Sequence, residues 1–323
     1  MSNDFKYLDE LIHSGVERII LKDDIILNDN KVAIKYFDGI NIDIDNIVID
    51  GNGHFIDAEN KIRIFKISGK NITLKNITLK NGNSIAEKGG AIYNKGSQTN
   101  MENCEVIMNR ATYGGAIYNE GTLTITNGTL NKNNAEDGGA IYNKGTLTIT
   151  NGTLNKNNAR NLGGAILNLN TFTVINSLLS DNYAIEGGAI SCIGKSSVNG
   201  CTFHSNNSSK SGGAIDSKEI TMKNSILELN STKGTGGAMF VKKGEINNTA
   251  FKKNSAYENG AIYFYDTTTI VNSDFIENSA HHEYGSLDKT SEFVNIKKCK
   301  FKDNNPDNIA SSPLKFIKRI MRN

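Results

Sequence analysis

Apolar residues recur along most of the chain at fixed places within a unit of about 24 residues. The steadiest marker of the unit is an Asn, found as Asn109, Asn133, Asn157, Asn182, Asn206, Asn230, Asn254 and Asn278. Three residues before each Asn stands an apolar side chain such as Leu130 or Phe203, and eight residues before it stands Ile, Val or Met. Polar residues flank the Ile, Val and Met positions, as in half-buried strands. The unit therefore predicts short strands.

Each unit also holds a glycine-rich motif, whose clearest copy is Gly114-Gly115-Ala116-Ile117-Tyr118-Asn119. Nine versions begin at positions 89, 114, 138, 163, 187, 212, 236, 259 and 284. A fixed period in the twenties is typical of a solenoid, in which units stack because none can bury its own apolar face. Together with the motif Ile, the unit predicts three short strands per coil, parallel between coils, and about twelve coils in all.

The Asn markers fall at bends between predicted strands. Stacked Asn amides can donate and accept at the same time, whereas stacked Asp carboxylates would repel one another. We therefore expect the Asn side chains to bond amide to amide from coil to coil.

Both ends of the solenoid need a cover, because an unpaired strand edge templates aggregation. Within residues 1–15, Phe5, Leu8 and Ile12 share one helical face and predict an N-terminal capping helix. Residues 16–305 are the predicted β-helix. Residues 306–323 predict a basic tail that forms a second capping helix, and the alternative places this tail against an anionic membrane surface.

Composition narrows the function. The chain of 323 residues has 37% apolar residues, 31 glycines, 2 prolines and no tryptophan, which suits many short strands and tight bends. A formal charge of +2 gives no steering toward nucleic acid, so no nucleic-acid partner is expected. No segment is apolar enough over a sufficient length to cross a bilayer, and the first seven residues do not form a signal-peptide pattern. We therefore expect neither a transmembrane segment nor a signal peptide.

The four cysteines are predicted to be thiols. Cys104, Cys201 and Cys299 all stand five residues before a marker Asn or its equivalent, in positions four coils apart. That separation is roughly 19 Å, too far for a disulfide. Cys192 lies on a different strand and has no evident partner. Thiols of this kind fit a reducing or anaerobic setting.

The repeats resemble a known family. The motif Gly-Gly-Ala-Ile, paired with Phe-x-x-Asn, is similar to the repeat of polymorphic outer-membrane proteins and of adhesin-like proteins of methanogenic archaea; the pairs are Phe203/Asn206, Phe251/Asn254, Phe275/Asn278 and Phe301/Asn304. Residues 49–54 and 69–78 resemble the entry coils of pectate-lyase-like β-helices of that group. The resemblance implies an all-β, right-handed parallel β-helix with an adhesive role at the cell surface.

No catalytic set is assembled in the sequence. Enzymes of this fold need clustered carboxylates, whereas Asp50 and Asp57 flank a glycine turn and are predicted to be turn carboxylates. His281 and His282 adjoin Glu283, but adjacent strand residues point to opposite sides and no third ligand recurs, so a solvated loop is favoured over a metal site. We predict no metal, no cofactor and no enzymatic activity.

The candidate binding residues follow the motif Ile. This position varies from coil to coil, which predicts that it faces outward, and five of its nine residues are aromatic: Tyr93, Tyr118, Tyr142, Phe240 and Tyr263. Exposed rings there would stack on sugar faces or on a partner protein. The alternative is that aromatic side chains simply stack between neighbouring strands.

The sequence therefore predicts a non-enzymatic, adhesin-like protein that presents a repetitive face to extracellular glycans or proteins. Two alternatives stay open: a polysaccharide lyase or hydrolase, and an intracellular scaffold. The cell-surface location follows from the resemblance, and a cytoplasmic location is the alternative because no signal peptide is expected.

Overall fold

The computed structural model describes residues 4–27, 30–96, 98–288 and 294–306. Over these residues the chain forms a right-handed parallel β-helix, in which every strand pairs in parallel with its counterpart in a neighbouring coil. The second of its three sheets has twelve strands, separated by about eleven turns. The predicted fold is confirmed.

The motif strands form the first column of the largest sheet. They are Ile40–Ile42, Phe65–Ile67, Ile92–Asn94, Ile117–Asn119, Ile141–Asn143, Ile166–Asn168 and Ile262–Phe264, together with the first parts of Ile190–Asn199, Ile215–Lys223 and Met239–Asn247. The last parts of those three long strands join a second column of the same sheet, whose other members are Arg18–Ile20, Val48–Asp50, Ile72–Lys75, Thr99–Glu102, Thr122–Thr126, Thr146–Thr150, Thr171–Ile175, Thr268–Val271 and Val294–Lys297.

The second sheet carries the Leu and Phe positions. Its strands are Ile25–Ile26, Phe55–Asp57, Thr78–Lys80, Glu105–Ile107, Thr129–Asn131, Thr153–Asn155, Leu178–Ser180, Thr202–His204, Ile226–Glu228, Ala250–Lys252, Asp274–Ile276 and Lys300–Lys302. The three predicted strand positions of the coil are thus all present.

A third sheet follows the marker Asn and was not predicted. Its strands are Asn83–Lys88, Arg110–Tyr113, Asn134–Asp137, Asn158–Leu162, Tyr183–Glu186, Asn207–Ser211, Ser231–Thr232, Ser255–Glu258 and Ser279–Glu283. These strands are short and polar, and most of them bury one small side chain, such as Ala135, so they lack the large apolar positions used to recognise strands.

The core is built from the predicted columns. The motif Ile, the Ile, Val or Met position and the Leu or Phe position are buried in coil after coil, as with Ile117, Ile125 and Leu130. Phe251, Phe275 and Phe301 stack with ring centroids 4.9 and 4.8 Å apart. Each fully buried side chain of this size contributes about 1.5–3 kcal/mol.

The N-terminal helix spans Phe5–Ile12, and Asp4 caps it by accepting the Tyr7 backbone N–H at 3.0 Å. Its face of Phe5, Leu8 and Ile12 is fully buried against the first coils, as predicted. A second short helix, Asn30–Lys35, was not predicted. The predicted C-terminal helix and most of the tail lie outside the described residues.

The marker Asn side chains form the expected ladder. From Asn109 to the equivalent Asn304, each Nδ2 donates to the Oδ1 of the next coil's Asn at 2.8–3.1 Å. The same Oδ1 also accepts the backbone N–H of the preceding ladder Asn. A further buried ladder runs through Asn94, Asn119, Asn143 and Asn168 at 2.6–2.7 Å. These buried amides are therefore paired, as their desolvation requires.

The glycine pair makes a tight corner between the third sheet and the motif strand. Gly114 has φ of +63°, and a Cβ on Gly115 would lie 2.3 Å from the Gly139 carbonyl oxygen of the next coil. Only glycine fits such a close approach. The corner determines where the candidate binding residues lie.

Candidate functional site

The residues that follow the motif Ile form a continuous row along the helix axis, the Tyr row. Its members are in register from coil to coil: Tyr93, Tyr118, Tyr142, Leu167, Ser191, Asp216, Phe240 and Tyr263, followed by Asp288 in the last motif. The expectation that the rings are exposed is wrong for the first two, because Tyr93 and Tyr118 are only 8% and 2% exposed. The almost constant Ala of the motif, such as Ala116, is also fully buried.

A second row encloses the Tyr row. It consists of the residue directly before each copy of the motif, which in most coils is the last residue of a third-sheet strand: Lys88, Tyr113, Asp137, Leu162, Glu186, Ser211, Thr235, Glu258 and Glu283. The two rows touch across the corner, as in the Lys88–Tyr93 and Ser211–Asp216 hydrogen bonds. We call the two rows together the double row. The second row was not predicted from the sequence to be part of the site. Its fixed place directly before the motif would have identified it.

The first three coils of the double row combine aromatic rings with lysines. Tyr118 and Tyr142 are stacked with centroids 5.0 Å apart, and Tyr93 meets Tyr118 edge to face at 5.5 Å. Tyr113 packs on Tyr142 at 5.3 Å. The Lys88 ammonium lies 5.0 and 4.7 Å from the Tyr93 and Tyr118 ring centroids. Ring faces are thus already covered by other rings and by ammonium groups of this chain.

Glu120 links Lys88 and Tyr93, which lie one coil before it, through hydrogen bonds. Its carboxylate accepts hydrogen bonds from Lys88 Nζ at 3.0 Å and from the Tyr93 hydroxyl at 2.7 Å. Burial alone would raise the pKa of Glu120, but these hydrogen bonds lower it overall. Burial alone would lower the pKa of Lys88, and the same contacts raise it. Both groups are therefore held in their charged forms at neutral pH.

A buried arginine fixes the start of the section. Arg63 is fully enclosed, pairs with Asp38, and donates from Nε to the carbonyl oxygens of Lys88 and Gly89, both at 3.0 Å. Its Nη2 also donates to Ser84 Oγ at 3.1 Å. Removing a partner from a buried charge of this kind is costly, so Arg63 holds the Lys88–Gly89 corner in place.

Farther along, the double row becomes acidic. Asp216 accepts a hydrogen bond from Ser211 Oγ at 2.5 Å, and Glu186, one coil earlier, pairs with Lys210 at 2.5 Å. Burial, assisted by the negative charge of Glu186, raises the pKa of Asp216 to about 6.

The last two aromatic candidates form a separate pair. Phe240 and Tyr263 stack at 5.0 Å, but Leu167, Ser191 and Asp216 separate them from Tyr142 along the row. The structure therefore brings together three of the five predicted binding residues and leaves the other two apart. A ligand role for all five stays a prediction.

The remaining candidate side chains have structural contacts. Asp50 accepts hydrogen bonds from Asn52 N and Asn76 Nδ2 at 3.1 Å, and Asp57 accepts from Glu59 N at 2.8 Å, as turn carboxylates do. His281 and His282 lie on a strand rather than in the expected loop, with the Tyr257 ring stacked on both.

The predicted thiols are confirmed, since none of the four cysteines forms a disulfide. Within the described ranges, no group of three His, Cys, Asp or Glu side chains is placed to hold a metal ion. No helix in the described part of the chain is long and apolar enough to cross a membrane.

Comparison with known proteins gives no family. No protein-family model matches the chain, and no curated protein matches it. Among solved structures, the chain is similar to a double mutant of the tailspike protein of E. coli bacteriophage HK620 in complex with a pentasaccharide, with a TM-score of 0.45 and 11% identity over 90% of this chain. It spans 55% of that tailspike chain. It is also similar to the alginate lyase AlyF-OU02 in complex with G6, with a TM-score of 0.43 and 13% identity over 96% of this chain and 88% of the lyase.

Proposed function

We propose that this protein is a non-enzymatic, adhesin-like binding protein whose double row holds an extended glycan at the cell surface. The observation that carries the proposal is the section from Lys88 to Lys144, where three successive coils align buried or half-buried tyrosines with exposed lysines along the helix axis. Identical chemistry repeated along an axis suits a polymer better than a compact ligand.

The mode of binding differs from the sugar-on-ring stacking expected from the sequence. Since the ring faces contact one another and the ammonium of Lys88, the groups left for a ligand are polar. They are the exposed Lys95 and Lys144 and the accessible parts of Tyr113 and Tyr142. A glycan would therefore be held by hydrogen bonds and charge at the rim of the row.

Two sequence features support binding over catalysis. Residues 114–135 and 138–159 differ only at Glu120 and Lys144, so two neighbouring coils present nearly the same surface, whereas an active site needs unlike groups converging on one bond. The repeat also resembles that of adhesin-like proteins. A partner protein in place of a glycan would use the same surface.

Glycan titration tests the proposal. The full chain is titrated calorimetrically with acidic and neutral oligosaccharides, alongside the variant Lys144→Ala. Loss of a charged hydrogen bond should weaken binding roughly tenfold. The matched control is Lys223→Ala, which removes another exposed lysine on the second column of the largest sheet. Equal affinity of both variants and the parent, or no glycan binding at all, would refute the site.

Protease shaving of intact cells tests the location. We expect the chain to be lost from intact cells. Full protection, with recovery in the cytosol, would contradict a surface role and favour an internal scaffold.

One observation favours a second candidate function, a glycoside hydrolase. Burial raises the pKa of Asp216 to about 6 and the neighbouring coil carries Glu186, a combination that suits a general acid beside a second carboxylate. Incubation with polysaccharides decides between the two. Sustained release of reducing ends by the parent, lost in both Asp216→Asn and Glu186→Gln, would establish hydrolysis, and no release would leave binding as the function.

A further inference from the structure

We infer that the glycan held by the double row carries an acidic group on every second sugar. The inference rests on the proposed binding function and names the class of ligand for the same site. Its starting point is the residue that follows the motif Asn, which is Lys95, Glu120 and Lys144 in three consecutive coils. The charge along this line is thus positive, negative, positive.

The three side chains lie beside the Tyr row and in adjacent coils. Asn94, Asn119 and Asn143, which directly precede them, are in register, and the Glu120 backbone N–H donates to the Asn94 carbonyl at 2.8 Å. Neighbouring strands are roughly 4.8 Å apart, so the two lysines are separated by roughly 10 Å along the axis.

The two lysines have no carboxylate partner in the described part of the chain, whereas the glutamate is ion-paired and its side chain is 29% exposed. Lys95 and Lys144 are exposed, with their ammonium groups 5.3 Å from the Tyr93 centroid and 5.7 Å from the Tyr118 centroid. Among the described residues, no carboxylate lies within ion-pair distance of either lysine. Glu120, in contrast, is committed to Lys88 and the Tyr93 hydroxyl.

The order Lys95, Glu120, Lys144 should distinguish glycans by how often along the chain they carry an acidic group. A sugar unit in an extended polysaccharide is about as long as the spacing between strands, so a glycan laid along the axis advances one sugar per coil. An acidic group on the first and third sugars would meet Lys95 and Lys144. The second sugar would face Glu120, where a second acidic group would be repelled. The site thus favours an alternating acidic and neutral disaccharide repeat over a homopolymer of uronic acid and over a neutral glycan.

Calorimetric titration with three octasaccharides tests this selection. The probes are hyaluronan, in which glucuronate alternates with a neutral amino sugar, oligogalacturonate, which is acidic at every sugar, and a cello-oligosaccharide, which is neutral. We expect the full chain to bind the hyaluronan octasaccharide at least tenfold more tightly than either of the others, with an affinity that falls as salt is added.

Two variants of one residue separate charge from structure. Glu120→Gln keeps an oxygen to accept the Tyr93 hydroxyl and removes the charge, so the preference for hyaluronan over oligogalacturonate should shrink. Glu120→Lys makes all three positions cationic and should reverse it. Thermal unfolding of both variants checks that they are folded. If Glu120→Lys does not fold, Glu120→Gln still tests the inference.

The outcomes separate the inference from the function on which it rests. Tighter or equal binding of oligogalacturonate by the parent, or a preference unchanged in Glu120→Gln, would overturn the alternating ligand while glycan binding stands. Binding to none of the three probes would overturn both.

Discussion

Replacing one rung of the marker Asn ladder should destabilise the whole solenoid, and Asn157→Ala is the clearest case. Asn157 is almost completely buried, and its side chain makes four hydrogen bonds. Its Nδ2 donates to the Leu130 carbonyl at 2.9 Å and to Asn182 Oδ1 at 3.1 Å. Its Oδ1 accepts from the backbone N–H and from Nδ2 of Asn133, both at 3.0 Å.

The cost follows from what alanine leaves behind. The buried backbone N–H of Asn133 loses its acceptor, which costs about 1–3 kcal/mol, and each of the three other hydrogen bonds lost contributes about 0.5–1.5 kcal/mol. We therefore expect Asn157→Ala to lower the free energy of unfolding by about 2.5–7.5 kcal/mol. That loss is a large share of the stability of an ordinary domain.

The control is the exposed Asn of the same coil. Asn151 has φ of +52° and donates to Asn127 Oδ1 at 3.2 Å in contact with solvent. Glycine accepts this backbone conformation, and water replaces the exposed hydrogen bond, so Asn151→Gly should cost less than about 1 kcal/mol.

Urea unfolding followed by circular dichroism measures both variants. Because coils interact mainly with their neighbours, amide hydrogen exchange should also show the loss centred on the coils around Asn157. If Asn157→Ala is no less stable than Asn151→Gly, the buried ladder does not hold the coils together and the reasoning fails.

Two further predictions concern titrating groups. The pKa of Asp216 rises from 3.8 to about 6 on folding, mainly through burial, so the folded state binds the proton more tightly and the free energy of unfolding falls as pH rises from about 4 to about 6. Asp216→Asn should therefore unfold at higher urea than the parent at neutral pH and match it near pH 4; lower stability at neutral pH would contradict this. Burial also raises the pKa of the Cys104 thiol to about 12, whereas Cys299 is only half-buried. A disulfide reagent at mildly alkaline pH should modify Cys299 first and Cys104 only after unfolding, and rapid modification of Cys104 in the folded protein would be the contrary result.

The sequence was a good guide to the fold because a solenoid repeats its chemistry at a constant interval. When coils stack in register, equivalent residues of neighbouring coils lie directly above one another. The ladder that contains Asn157 and the column that contains Leu130 could therefore be predicted from spacing alone. The N-terminal helix was equally predictable, since Phe5, Leu8 and Ile12 show the helical period. The strand Asn134–Asp137 escaped because its buried side chain is only an alanine.

The candidate site depended on the tertiary structure. Alternation along a strand tells which side of the sheet a residue faces, and it correctly separates Tyr118 from the inward Ile117. It does not tell whether the outer side is enclosed. At the Gly-Gly corner the preceding strand folds back over that side, so Lys88 and Tyr113 cover the rings and Tyr118 becomes 2% exposed.

The single difference between residues 114–135 and 138–159 also shows what the sequence leaves undetermined. The sequence shows that Glu120 replaces the lysine found at Lys144, and nothing more. Only the structure joins Glu120 to Lys88, which is 32 residues away, and leaves Lys144 exposed beside the Tyr118 ring. The sequence by itself determined the period, the stacked columns and the parallel fold, because these depend on identity between neighbouring coils. The tertiary structure decided which charges are paired and which surface is open, because those depend on how the corner of each coil bends.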